Sequence, residues 1–241
     1  MKKFELTTEQ KINWFGRTLY RIKACISFTT TSGDEVKAGD LGGFVEKESN
    51  LSHDGKAWVC GDAKVWGNAE VCGDAKVCGD AKVWGNAEVC GDAKVCGDAK
   101  VWGNAKVWGN AEVWGNAEVC GDASVFSTEH IFCVTPIGEY ANSLTLFRTK
   151  HLEIKISFKL DVYTVDQFLK VIDGWCDDKQ KSIVAIAIGL AYKHIDLTPT
   201  SDDLKPCPFC GGEAEYNADS DIVVCTNCCA SADKKIWNKR V

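Results

Sequence analysis

The 241-residue sequence predicts a mainly β protein: a parallel β-helix of stacked hexapeptides, followed by a small α+β segment and a C-terminal metal-stapled ribbon. Three observations predict it. Val recurs every six residues from Val59 to Val119. Within that run, residue types repeat again every eighteen. Near the end, two C-x-x-C pairs, Cys207/Cys210 and Cys225/Cys228, stand fourteen residues apart.

Each hexapeptide reads Val, then Cys or Trp, Gly, Asp or Asn, Ala and a side chain that is almost always charged. Eleven units end at Ser124, and Val125-Phe126 begins a degenerate twelfth. Side chains alternate along a strand, so Ala and the Val two residues later share one face. The residue between them and the Cys or Trp after Val point the other way. Gly followed by Asp or Asn supplies a corner with positive φ. A strand of about four residues and a corner of two cannot fold alone. Stacked in coils, such units bury a column of Ala and Val and pair their backbones. A helix is a poor alternative, because a six-residue spacing of Val and Gly matches no 3.6-residue face.

The eighteen-residue period equals three hexapeptides, or one triangular coil. Trp66, Trp84 and Trp102 are spaced by it, as are Cys60, Cys78 and Cys96. With rungs about 4.8 Å apart, the three Trp should stack as an outward aromatic ladder, with Trp108 and Trp114 continuing on the other two sides. Such a strip either shields strand backbones or serves as a contact surface for another subunit or partner. The repeat resembles that of the left-handed parallel β-helices of hexapeptide-repeat proteins. That resemblance supplies the handedness and implies a homo-oligomer, with a trimer favoured.

Many such β-helices are acyltransferases and some are carbonic anhydrases, activities that call for His at subunit junctions. His53, His130, His151 and His194 all lie outside the repeats, so no catalytic residue is expected.

Residues 1–45 are expected to cap the β-helix of 46–128, since an open end exposes unpaired strand edges. Gly16 to Ile22 reads as a strand, and Gly39 to Lys47 leads into the coil. G-R-T-L-Y-R-I at 16–22 and G-D-L-G-G-F-V-E-K-E-S-N-L-S at 39–52 resemble hexapeptide-repeat proteins of phages and prophages. Residues 129–200 read as a separate α+β domain, with strands at 131–135, 143–148 and 152–158. Thr164 to Gln167 forms a helix capping box ahead of Phe168, Leu169, Ile172 and Trp175 on one face. A second helix is expected from about Asp178 to His194.

Two C-x-x-C pairs at this distance predict a closed tetrahedral Zn²⁺ site in residues 201–241, with Cys207, Cys210, Cys225 and Cys228 as ligands and Gly211-Gly212 allowing the first turn. A closed shell leaves no place for water, so the zinc is structural. A segment this small needs that staple. Cys229 is surplus. L-K-P-C-P-F-C-G-G at 204–212, the second pair and Trp237-Asn238-Lys239-Arg240 resemble the Lar-type restriction-alleviation family. That resemblance implies an anti-defence protein of a phage or prophage. It would act in the bacterial cytoplasm on a protein partner such as a restriction–modification complex.

Composition narrows the classes further. The chain carries fourteen Cys and a net charge of −6. An acidic balance argues against a general grip on nucleic acid. Ten acids against six Lys between Val59 and Ser124 is too weak an excess for DNA mimicry. Neither a signal peptide nor a membrane span is expected, so reduced thiols or metal sites are expected for the cysteines. Cys25, Cys133 and Cys176 are expected in packed cores. Two further readings stand beside the anti-defence one: an assembly protein built on an oligomeric β-helix, and a hexapeptide-type acyltransferase.

Overall fold

The computed structural model describes residues 2–137, 142–174, 177–199, 204, 207, 210, 213–217, 220, 222–233 and 237. The chain divides into two compact units: Met1–Thr149 with Ile154–Ile195, and Lys150–Glu153 with Asp196–Val241.

The first unit is a three-faced β-solenoid closed at both ends by non-repeat chain. Each hexapeptide contributes a two-residue strand, such as Lys64–Val65 or Lys82–Val83, shorter than the four residues expected. Parallel pairing links positions eighteen residues apart: Val65 with Val83, and Val83 with Val101. Backbone pairing nevertheless continues through the corners, where the amides of Asp62 and Asn68 donate to the carbonyls of Gly79 and Gly85. The strands are short because the corners bend the chain, not because the pairing stops.

Every repeat Val from Val59 to Val125 is fully buried, and every repeat Ala from Ala57 to Ala123 is at most 1% exposed. These residues form one core. Each buried Val contributes roughly 1.5–3 kcal/mol. Corner glycines have positive φ, and from Gly55 to Gly109 the chain above also crowds the place of a Cβ. Gly91, at φ +70°, would place one 2.9 Å from the Gly109 amide nitrogen.

The N-terminal cap is an antiparallel hairpin, Phe4–Ile12 with Thr18–Ala24. It pairs with Leu41–Val45, which pairs in parallel with the first coil through Val45 and Val65. Buried Asn50 supports this junction: its side-chain amide donates to the carbonyls of Gly67 and Ala69.

At the other end, strands Ile131–Ile137, Asn142–Arg148, Ile154–Phe158 and Asp161–Thr164 form an antiparallel sheet. The last of these strands was not expected. Helix α1, Val165–Ile172, opens on the expected capping box of Thr164 and Gln167. Phe168 and Ile172 are buried, whereas Leu169 is exposed and Trp175 lies outside the described residues. Helix α2 spans Asp178–His194, as its sequence predicts.

This α+β segment belongs to the same compact unit as the coil. The Glu118 amide donates to Thr145 Oγ1. The Glu118 carboxylate accepts from Ser157 Oγ and the Leu160 amide, and pairs with Lys100. A nearly buried carboxylate held by this many donors ties the last coil to the sheet. Fully buried Arg148 donates to the Ser124 carbonyl.

Candidate metal centre

The second unit holds a three-stranded antiparallel sheet: Ala214–Asn217, Ile222–Cys225 and Ser231–Asp233. Cys207, Ala214, Val223, Cys225 and Trp237 form its small buried cluster. Lys205, Pro206, Pro208, Phe209, Gly211, Gly212 and residues 238–240 lie outside the described residues.

Cys225 ends the middle strand, and the chain then turns tightly. The Cys225 amide donates to the Ala230 carbonyl, and the Cys229 amide to the Cys225 carbonyl. Cys229 takes φ +58°, a conformation that favours Gly, and its side chain is exposed. The turn aims the amides of Asn227 and Cys228 at Cys225 Sγ, at 3.3 and 3.4 Å.

The four predicted cysteines come together. Cys207 Sγ lies 3.6 Å from Cys228 Sγ, Cys210 Sγ lies 3.4 Å from Cys225 Sγ, and all four sulfurs fall within 4.8 Å of one another. Tetrahedral zinc with bonds of about 2.3 Å sets its sulfurs roughly 3.8 Å apart, so the donor set fits such an ion. The hydrogen bond from the Cys228 amide, aided by that of Asn227, lowers the Cys225 thiol to about 6. Cys228 moves the other way, to about 12: the Ala230 amide opposes the rise, but the neighbouring sulfurs of Cys210 and Cys207 outweigh it. Four crowded sulfurs cannot all ionise alone, and a cation at their centre would relieve that repulsion.

The aromatic ladder forms in the solenoid as expected, but its first rung is not a surface. Trp66 and Trp84 stack with centroids 5.0 Å apart, and Trp84 and Trp102 repeat that spacing. Trp66 is only 2% exposed, because Trp14 and Phe15 from the hairpin turn cover it. Trp84, Trp102 and Trp108 are half-buried, and Trp114 is 52% exposed. The signal for this cover was the run Trp14-Phe15-Gly16, an apolar pair in a turn where polar residues are usual.

The cysteines need three corrections. Within the repeats, Cys72–Cys90 and Cys78–Cys96 are disulfides, where thiols or metal ligands were expected. Rungs this close bring stacked Cys within bonding reach, with Cα atoms 4.7 Å apart. Cys25 and Cys133 are exposed rather than in cores. Cys176 lies outside the described residues.

Two of the histidines are built into turns. His53 Nδ1 accepts from the Lys3 amide, its Nε2 contacts Glu48, and its ring stacks on Phe4. His130 Nδ1 accepts from the Phe126 amide.

No protein-family model matches the chain, and no curated protein matches it. None of the helices among the described residues is long and apolar enough to cross a membrane.

Proposed function

We propose that this chain is a non-enzymatic binding protein in which a zinc-stapled ribbon recognises a protein partner and the β-solenoid is its rigid scaffold. The observation that carries the reading is the four-sulfur cluster. Four thiolates complete a tetrahedral shell and leave no position for a reacting ligand, so the ion supports structure and the surrounding surface does the binding. The roles of His53 and His130 as hydrogen-bonded turn residues agree with a protein lacking acyl-transfer chemistry.

The resemblance of residues 204–240 to restriction-alleviation ribbons suggests the partner, a bacterial type I restriction–modification complex met by a phage or prophage protein. The test is the plating of unmodified phage on a type I restricting host with and without this chain. Plating should rise with the wild type and return to the restricted level with Cys207→Ser. An unchanged efficiency with well-expressed wild type rejects the assignment.

Exposed Ile183, Ile186 and Leu190 on α2 favour a second reading, an assembly protein. Sedimentation decides it: a protein monomeric at tens of micromolar has no such role.

A further inference from the structure

Two cysteine columns run along the solenoid, and they differ in length. Cys72 and Cys90 form a column of two. The positions one coil before and one coil after it are Asp54 and Trp108. Cys60, Cys78 and Cys96 form a column of three, bounded in the same way by Gly42 and Trp114. The three-sulfur column holds a Cys78–Cys96 disulfide and leaves Cys60 as a thiol.

The relation between Cys60 and Cys78 repeats that between Cys78 and Cys96. The Cys60 amide donates to the Val77 carbonyl at 2.9 Å, and the Cys78 amide donates to the Val95 carbonyl at 2.9 Å. Val59 pairs in parallel with Val77, and Val77 with Val95. Cys78 and Cys96 have Cα atoms 4.7 Å apart, inside the range a disulfide spans. The same coil spacing therefore places Cys60 and Cys78 within that range.

We propose that Cys60, Cys78 and Cys96 form a thiol–disulfide exchange column in which one disulfide occupies either of two registers, Cys78–Cys96 or Cys60–Cys78. A thiolate must approach a disulfide sulfur from the side opposite the leaving sulfur. Cys60 lies one rung before Cys78 and Cys96 one rung after it, so the column supplies that approach. The Cys60 thiolate attacks Cys78 Sγ, the Cys60–Cys78 bond forms, the Cys78–Cys96 bond breaks, and Cys96 leaves as a thiolate. Cys96 takes up the proton that Cys60 lost. One disulfide and one thiol are present before and after, so neither oxidant nor reductant is consumed.

The two registers present different thiols. In the first, the free thiol is Cys60, which borders a cavity of about 310 Å³ lined also by Thr30, Asp34, Trp58 and Lys76. In the second it is Cys96, 4% exposed. The exchange thus moves a thiol between a position open to small thiols and electrophiles and one sealed from them. Burial raises the Cys60 thiol above its ordinary value, with Lys76 opposing and Asp34 reinforcing, so exchange is slow at neutral pH.

Tryptic peptides distinguish the registers. Cys60 lies in AWVCGDAK, Cys78 and Cys96 each in VCGDAK, and Cys72 and Cys90 each in VWGNAEVCGDAK. Free thiols are alkylated under acid quench in monomeric protein whose Cys72–Cys90 pair is intact. Mass mapping of the wild type should then find both the VCGDAK–VCGDAK and the AWVCGDAK–VCGDAK crosslinks. Cys96→Ser, allowed to oxidise in glutathione disulfide, should carry AWVCGDAK–VCGDAK in place of the first pair, because Cys60 is then the thiol one rung from Cys78. Cys78→Ser should leave Cys60 and Cys96 alkylated, since two rungs, roughly 9 Å, exceed a disulfide's reach. Alkylated Cys60 and Cys78 in Cys96→Ser overturns the proposal, as does a Cys60–Cys96 crosslink in Cys78→Ser.

Discussion

Trp66 and Trp84 lie face to face, their ring planes parallel and their centroids 5.0 Å apart, yet only Trp84 is reachable from solvent. Trp14 stands edge-on to both, at 5.4 and 6.1 Å. The ladder is thus a place where the N-terminal turn locks onto the coil.

Trp66→Ser should therefore cost stability, by about 3–5 kcal/mol, the range for deleting a buried Trp. Trp114→Ser, at a 52% exposed position, should stay within about 0.5 kcal/mol. Urea denaturation followed by circular dichroism measures both, and equal midpoints for the two variants contradict this account.

The corner glycines offer a paired comparison. Gly91→Ala combines a left-handed backbone, costing roughly 1–2 kcal/mol, with a Cβ forced against Gly109. Gly115→Ala has the same backbone demand, at φ +64°, but meets nothing within 4 Å. Thermal melts should place Gly91→Ala clearly below Gly115→Ala; the reverse order would mean the coils are not stacked as described.

Lys3 is 1% exposed and donates to the carbonyls of Asp54 and Gly55. Burial lowers its ammonium from 10.5 to about 8. Below pH 8 both folded and unfolded chains keep the proton, and the folded state bears the whole burial cost. Between 8 and 10.5 the folded state releases the proton first, so stability rises with pH, by about 1.4 kcal/mol for each unit of pKa difference at most. The stability of Lys3→Met relative to wild type should fall steadily over that window. A difference independent of pH would show that Lys3 keeps one protonation state throughout.

The four-sulfur cluster predicts about one equivalent of zinc per chain after purification in reducing, metal-replete buffer. Chelation, or Cys225→Ser, should open residues 204–237 to proteolysis while the β-solenoid signal in circular dichroism persists. Cys60→Ser should retain the metal. Protein that resists proteolysis equally with and without chelator would remove the structural role of the ion.

Much of this architecture was legible because its cause is local and repeated. Alternation put every repeat Ala and Val inside, Gly marked each corner, and the eighteen-residue period set which side chains stack. Thr164 with Gln167 announces α1 through hydrogen bonds within one turn, whereas the Asp177 cap of α2 emerged only from the structure. The C-x-x-C pairs named four cysteines whose sulfurs do converge, and for Cys225 and Cys228 the cause is local, a tight turn at the end of one strand.

Contacts between residues far apart in sequence were decided only by the tertiary structure. Nothing in the hexapeptides says that Trp14 will cover Trp66, since that depends on where the Phe4–Ile12 hairpin returns. Nothing in Glu118 marks it, among near-identical units, as the carboxylate that Ser157 and Leu160 will hold. Stacked cysteines and their rung spacing followed from the period, but which neighbours are joined, Cys78 to Cys96 with Cys60 left as a thiol, did not. Sequence by itself determined what repeats and which way each residue points. The fold decided which of those equivalent positions are covered, paired or left open, because the ends of a repeat break the equivalence that its sequence preserves.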